Sequence, residues 1–167
     1  VTRFQAHMED SLMWAHTIET ALRTAITDQA FGLVYQPQVA PDGLTIVGAE
    51  ALLRWVHPSM GAIPPSKFIP VAEERRLMWE LGAFVLDRAV ADACGWRDLR
   101  VAVNVSAQQF ARGDLVDLVA RTLDRYRFPA SRLELEITES ALVNDEDQAD
   151  EQIRRLKALG VAIALDD

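Results

Sequence analysis

Oxygen-bearing side chains recur near the ends of four successive strand-like segments. They are Glu50, Asn104, Glu136 and Asp166, with Asp167 directly behind the last of them. In an α/β barrel the carboxyl ends of parallel strands open into one shared mouth, so these side chains would converge there. Such donors suit a hard divalent cation, Mg²⁺ or Mn²⁺. Adjacent aspartates could serve two ions, an arrangement common in phosphodiester hydrolysis.

Each of these residues also has an ordinary explanation when it is taken alone. An acidic residue near a strand end is usually solvated, and Asn104 fits a strand-end turn. Glu136 lies in a run otherwise suited to burial, where a carboxylate needs a partner. Strict alternation would instead let Glu134 and Glu136 share a solvated face. The residues leave both readings open, and only the repetition over four strands favours a joint site.

The elements that must position these side chains follow from hydrophobic periodicity. Residues 11–30 have the spacing of an amphipathic helix. Two strand-like runs, Phe31–Val39 and Leu44–Leu53, flank a turn at 41–43 and predict an antiparallel hairpin. From Leu44 onward strands alternate with helices, which predicts parallel strands joined by crossover helices. Later strands are expected at 100–105, 132–137 and 161–165, and later helices near 67, at 78–95, at 115–126 and from 144 or 145 to 159.

This pattern predicts the α/β class with a TIM-like (β/α)8 architecture and an antiparallel first strand. A barrel of that kind needs eight strands and about 250 residues. The chain has 167 residues and four candidate parallel strands. We therefore expect it to hold about the first half of the barrel.

Composition narrows the range of functions. The formal net charge of −8 argues against a nucleic-acid polymer as partner, since such binding needs a basic face. The single cysteine, Cys94, excludes an internal disulfide and is predicted to lie in a helix core. No apolar run is long enough for a membrane span. The expected location is the cytoplasm, with a longer parent protein anchored to a membrane, if at all, through other domains.

One segment carries a specific resemblance. Glu50-Ala51-Leu52 is followed by Leu53-Arg54-Trp55, and the surrounding segments match in order and spacing. These segments are Tyr35-Gln36-Pro37, His57-Pro58, Phe68-Ile69-Pro70, Ala72-Glu73-Glu74, Val103-Asn104-Val105-Ser106, residues 133–140 and Leu165-Asp166-Asp167. From about Phe31 to its last residue the chain resembles the EAL family of cyclic di-GMP phosphodiesterases.

The resemblance implies roles for individual residues. Arg54 matches a residue that contacts a substrate phosphate, and Gln36 matches a position in the ligand pocket. Glu139 matches a glutamate that steadies a loop beside the metal site and the dimer contact. The positions that match metal ligands, for two Mg²⁺ or Mn²⁺ ions, are Glu50, Asn104, Glu136, Asp166 and Asp167.

The implied reaction is hydrolysis of cyclic di-GMP to linear pGpG. The family's catalytic lysine and a further glutamate ligand would follow Asp167, so this chain alone has no candidate for the lysine and is expected to be inactive. Residues 1–30 are interpreted as a linker helix and 31–167 as the N-terminal half of the EAL domain. The resemblance further implies a homodimer for the intact domain and a GGDEF or sensor domain in the parent.

Two other readings remain at this stage. A degenerate EAL domain would bind cyclic di-GMP as a receptor or serve as a protein-interaction module without turnover. A half-barrel could instead pair with another chain through its open sheet edge. The intact set of candidate ligands argues against degeneration in this half.

Overall fold

The structure is a computed structural model that describes residues 2–138, 141 and 146–166. Side chains are described within those ranges from Met13 onward, except at positions 146, 147 and 166. The predictions made for Glu139, for Asp167 and for the carboxylate of Asp166 therefore lie outside the described residues.

Helices and strands alternate along the chain, as the periodicity predicted. The helices are α1 Thr2–Thr27, α2 Pro65–Glu74, α3 Met78–Ala93, α4 Ala107–Ala111, α5 Leu115–Tyr126 and α6 Glu146–Ala158, with a 3₁₀ turn at Ala130–Arg132. The strands are β1 Phe31–Val39, β2 Ile46–His57, β3 Gly61–Ile63, β4 Arg100–Val105, β5 Leu133–Thr138 and β6 Ala162–Asp166. Among the described residues no helix is both long enough and apolar enough to span a bilayer.

One curved sheet organises these elements. Its strands follow the order β1-β2-β4-β5-β6, and β3 pairs only with the last residues of β2. The β1–β2 pair is antiparallel, whereas β2, β4, β5 and β6 run parallel. This confirms the predicted hairpin followed by crossover connections. The strand β3 and the helix α4 were not predicted, because three and five residues are too few to show a hydrophobic period.

Two hydrophobic clusters cover one face of the sheet. The larger cluster packs α3 and α5 against β4 and β5, and its centre includes Val90, Val119 and Leu135, all fully buried. The smaller one joins α1 to the hairpin through Ile18 and the aromatic ring of Trp55. The two clusters pack the strands against the helices. The opposite face of the sheet, which we call the concave face, carries the alternate residues of the same strands.

The prediction that Cys94 lies in a helix core is wrong. The buried stripe of α3 ends with the helix at Ala93, and Cys94 is the exposed residue that follows. Its Sγ lies 3.9 Å from the carbonyl oxygen of Tyr126. Cys94 keeps helical backbone angles, and its N–H donates to the Val90 carbonyl oxygen, so the helical period reaches this residue although burial does not.

Candidate functional site

Strand register brings three of the predicted residues together on the concave face. Asn104 of β4 is the direct partner of Glu136 in β5. Glu50 of β2 is the partner of Ala102, which lies two residues before Asn104 on the same face. The Asn104 Nδ2 donates a hydrogen bond of 2.7 Å to Glu50 Oε1. Residues 54 positions apart in the sequence therefore meet across neighbouring strands.

The fourth predicted position lies on the next strand. Asp166 ends β6 opposite Thr138, two residues beyond Glu136 on the same face of β5. The backbone position of Asp166 thus continues, on β6, the series of positions 50, 104 and 136 on the three preceding parallel strands. This placement of the backbone agrees with a common mouth at the carboxyl ends of the strands.

Small residues line the floor of the concave face. Ala102 is fully buried there, and Gly48 lies on the same face of β2, opposite Arg100. A Cβ added at Gly48 would lie 2.9 Å from the Arg100 carbonyl oxygen and 3.2 Å from Gln38 Oε1. The absence of a side chain at this position therefore lets Gln38 lie across the strands.

Gln38 contacts a predicted site residue, although the sequence analysis did not select it. Its Nε2 donates to Glu136 Oε1 at 3.2 Å, although the two residues are 98 positions apart. Strand alternation places Gln38 on the same face of β1 as Gln36, and this spacing could have identified Gln38 from the sequence. The contact gives the half-buried Glu136 carboxylate a neutral donor.

The shared face of Glu134 and Glu136 is also present. Both side chains are half-buried on the concave side of β5. Glu134 pairs with Arg100, with 3.3 Å between Oε2 and Nη1. Alternation therefore explains the pattern of the strand, with Glu134 bonded to Arg100 and Glu136 to Gln38.

The two residues assigned to substrate lie beside this group. Gln36 is paired with Glu50 across the hairpin and is exposed. Arg54 is exposed at the far end of β2, where its Nη1 donates to the Leu53 carbonyl oxygen at 2.8 Å. A cavity of about 300 Å³ opens between Arg54, Asn104 and Thr138, and its apolar wall includes Ile69.

The donor types of the described residues fit a hard cation. Glu50 and Glu136 offer carboxylate oxygens, and Asn104, which donates through Nδ2, keeps its Oδ1 as an acceptor. All of these donors are oxygens, as Mg²⁺ and Mn²⁺ prefer. Among side chains that the structure describes, no three His, Cys, Asp or Glu residues converge on one point. A full ligand set would therefore need Asn104 and further oxygens.

Comparison with known proteins identifies the family. The EAL domain family matches residues 19–167. An uncharacterized signaling protein of Caulobacter vibrioides is 48% identical over 166 residues, which make up 98% of this chain and 20% of that protein. The chain belongs to the EAL domain family. It spans only 20% to 28% of the length of the first curated relatives that it matches.

Solved structures agree with this assignment. The PaMucR phosphodiesterase, in a c-di-GMP complex, is 40% identical with a TM-score of 0.85, over 90% of this chain and 63% of that one. The EAL enzyme Bd1971, bound to cAMP and cyclic di-GMP, is 26% identical with a TM-score of 0.88, over 99% and 47%. The predicted α/β fold, with part of a TIM-like EAL barrel, is confirmed.

Proposed function

We propose that the EAL domain to which this chain contributes hydrolyses cyclic di-GMP to linear pGpG with the help of Mg²⁺ or Mn²⁺. Membership of the EAL family supports a role in cyclic di-GMP hydrolysis or binding, and two similar structures contain that nucleotide. The finer assignment to hydrolysis rests on the polar group at the mouth of the sheet. The contact between Asn104 and Glu50 carries it, because it joins two candidate ligands from different strands.

In this proposal the residues of the concave face hold the cations. Glu50, Asn104 and Glu136 supply oxygens from three strands, and Asp166 and Asp167 would complete the set. Two bound ions would supply a water of lowered pKa and positive charge against the phosphate. The small floor at Gly48 and Ala102 leaves room for the side chains above it.

The remaining predicted residues would bind the nucleotide. Arg54 is exposed at the mouth and can turn its guanidinium toward a phosphate, for which that group is well suited. Gln36, next to Glu50, offers an amide to the ligand. Glu139 keeps its proposed role in steadying the adjacent loop. Hydrolysis adds water across one P–O3′ bond and leaves a 5′-phosphate and a free 3′-hydroxyl.

The longer protein remains part of the proposal. The match to 20% and 28% of the first curated relatives leaves room for other domains, and we propose a GGDEF or sensor domain preceding the linker helix 1–30. We further propose a cytoplasmic location and a homodimer of the complete EAL domain. Sedimentation of the complete domain tests the dimer directly.

Turnover of cyclic di-GMP by the complete domain tests the reaction. Glu50→Gln keeps the shape of the side chain but removes its charge, and we expect kcat to fall about 100-fold or more. Glu134→Gln is the matched control, because it removes a carboxylate from the same face that already pairs with Arg100. We expect its kcat to stay within about threefold of the parent value. Equal losses in both variants would contradict the assigned role of Glu50.

A receptor is the second candidate function. It predicts that cyclic di-GMP binds to the complete domain while no pGpG forms with Mg²⁺ or Mn²⁺. Calorimetric binding measured beside the turnover assay separates the two candidates. Binding without turnover would reject hydrolysis and retain the nucleotide as ligand.

A further inference from the structure

The turn that follows β4 is held by three reciprocal hydrogen bonds between Ser106 and Gln109. Ser106 lies two residues after Asn104 and begins helix α4 as its N-cap. Its Oγ accepts from the Gln109 backbone N–H at 3.3 Å. The Gln109 Oε1 accepts from the Ser106 N–H at 3.2 Å and from the Ser106 hydroxyl at 3.1 Å. This reciprocal capping box fixes the direction in which the chain leaves β4.

Gln109 is unusual among capping residues because it is buried. Only 3% of its surface is exposed, and its side chain lies against the backbone of α3 at Gly82. A Cβ added at Gly82 would lie 1.8 Å from Gln109 Nε2 and 2.3 Å from its Cδ. The side chain of Gln109 therefore occupies space that exists only because position 82 carries no side chain.

The arrangement connects α3 to the candidate site through a short path. Gly82 admits Gln109, Gln109 holds Ser106, and Ser106 is separated from Asn104 by one residue. Gln109 also lines, together with Asn104, the cavity of about 300 Å³ beside Arg54. A shift of the turn would change the direction of the Asn104 amide toward Glu50.

We propose that Gln109 is a positioning residue of the site and that Gly82 provides the space it needs. Gln109 holds the carboxyl end of β4 so that the Asn104 Nδ2 meets Glu50 and its Oδ1 stays available to a divalent cation. The inference rests on the proposed function, because it takes Asn104 as a cation ligand. It adds two residues that act on the cation through Asn104 and are not themselves among the proposed cation ligands.

The test is calorimetric binding of Mn²⁺ alone to the complete EAL domain, beside kcat and KM. Gln109→Met keeps the length of the side chain and removes the acceptor, and we expect the Kd for Mn²⁺ to rise about tenfold or more. Gln109→Glu keeps an acceptor for Ser106 and should restore Kd to within about threefold. The kcat of Gln109→Met should fall while KM for the nucleotide stays nearly unchanged.

Gln152 offers a matched control. It is equally buried, at 3% exposure, and its Nε2 donates to the Phe110 carbonyl oxygen of the same helix at 2.6 Å. Gln152→Met should lower the melting temperature and leave the Kd for Mn²⁺ within about twofold, because its hydrogen bond goes to the main chain of α4 and not to the Ser106–Gln109 capping box. A Gln109→Met variant that loses melting temperature but keeps its Kd and kcat would overturn the proposal.

Two further variants test the positioning role and the cation site separately. Gly82→Ala pushes Gln109 aside without changing its chemistry, so it should reproduce the loss of Mn²⁺ affinity even if Gln109→Met does not fold. Asn104→Ala tests the premise. If Asn104→Ala weakens Mn²⁺ binding and both Gln109→Met and Gly82→Ala do not, only the positioning role fails. If Asn104→Ala has no effect on Mn²⁺ binding, the proposed cation site itself fails.

Discussion

The two faces of β5 differ sharply although they belong to the same six residues. Leu133, Leu135 and Ile137 point toward the helices and are fully buried. Glu134, Glu136 and Thr138 point to the concave face and are half-buried. Strand alternation separates the two sets completely.

The two faces of β5 contribute differently to the free energy of folding. The helical face buries apolar surface, which stabilises the fold by roughly 25 cal/mol for each Å² removed from water. The concave face holds carboxylates and amides, whose burial costs free energy unless they find partners. One strand thus stabilises the domain with its odd-numbered residues and presents chemistry with its even-numbered ones.

The largest expected loss of stability comes from the helical face. Leu135→Ala removes a fully buried side chain from the centre of the larger cluster, so we expect the free energy of unfolding to fall by about 2–5 kcal/mol. Urea unfolding measures this loss. Leu165→Ala is the control, since Leu165 is the same residue type on the neighbouring strand but is 60% exposed. Similar losses of unfolding free energy in both variants would contradict the view that burial on the helical face stabilises the fold.

A substitution on the concave face should affect Mn²⁺ affinity more than stability. Glu136→Gln keeps the volume of the side chain, and we expect the free energy of unfolding to change by less than about 1 kcal/mol. The Mn²⁺ affinity of the complete domain should fall about tenfold or more, because a charged oxygen donor is lost. Urea unfolding and calorimetry measure the two quantities. A stability loss as large as that of Leu135→Ala would show that Glu136 serves the fold.

Tyr35 sharpens the comparison because it is a polar group on the helical side of β1. Its hydroxyl donates to Asp92 Oδ2 at 2.8 Å, and burial, followed by this hydrogen bond, raises the pKa of Tyr35. Tyr35→Phe should lower the free energy of unfolding by about 1 kcal/mol at pH 7. Gln36→Ala, on the concave face, should change it by less than about 0.5 kcal/mol. No loss in Tyr35→Phe would contradict a structural role for the bond.

The same tyrosine predicts an alkaline effect. A raised pKa means that the folded chain holds the phenol proton more tightly than the unfolded chain does. The stabilisation is complete below the usual tyrosine pKa of about 10 and decreases as the pH rises above it. The difference in unfolding free energy between the parent and Tyr35→Phe should therefore narrow above about pH 10.

The smallest effect is expected at the hairpin turn, which belongs to neither face. The Thr45 hydroxyl, followed by the backbone N–H groups of Thr45 and Leu44, lowers the pKa of Asp42 to about 2. The resulting stabilisation is present above the ordinary carboxyl pKa of 3.8 and is lost as the pH falls toward 2. Urea midpoints at several acidic pH values should fall more steeply for the parent than for Asp42→Asn. Equal dependence of the urea midpoint on pH in the two proteins would show that the turn does not contribute to acid stability.

Much of the fold could be predicted from the sequence because long elements show their period. The helical period of residues 78–95 predicted α3, and the turn at 41–43 predicted the hairpin. Alternation in β5 was one of two open readings, and the structure shows that Glu134 and Glu136 do share a face. The elements that were missed, β3 and α4, are too short to display a period. Cys94 was misplaced because the helical period continues through its backbone, whereas the buried stripe of α3 stops at Ala93.

The sequence by itself determined the order of the long elements and the candidate residues of the site. Only the tertiary structure decided which of them meet. Glu50 contacts Asn104, Gln38 reaches Glu136, and Gln109 fills the space at Gly82. These contacts depend on strand register and on helix packing over long separations in the chain. Local propensity contains no information on such distances, whereas the folded sheet fixes them to within hydrogen-bond length.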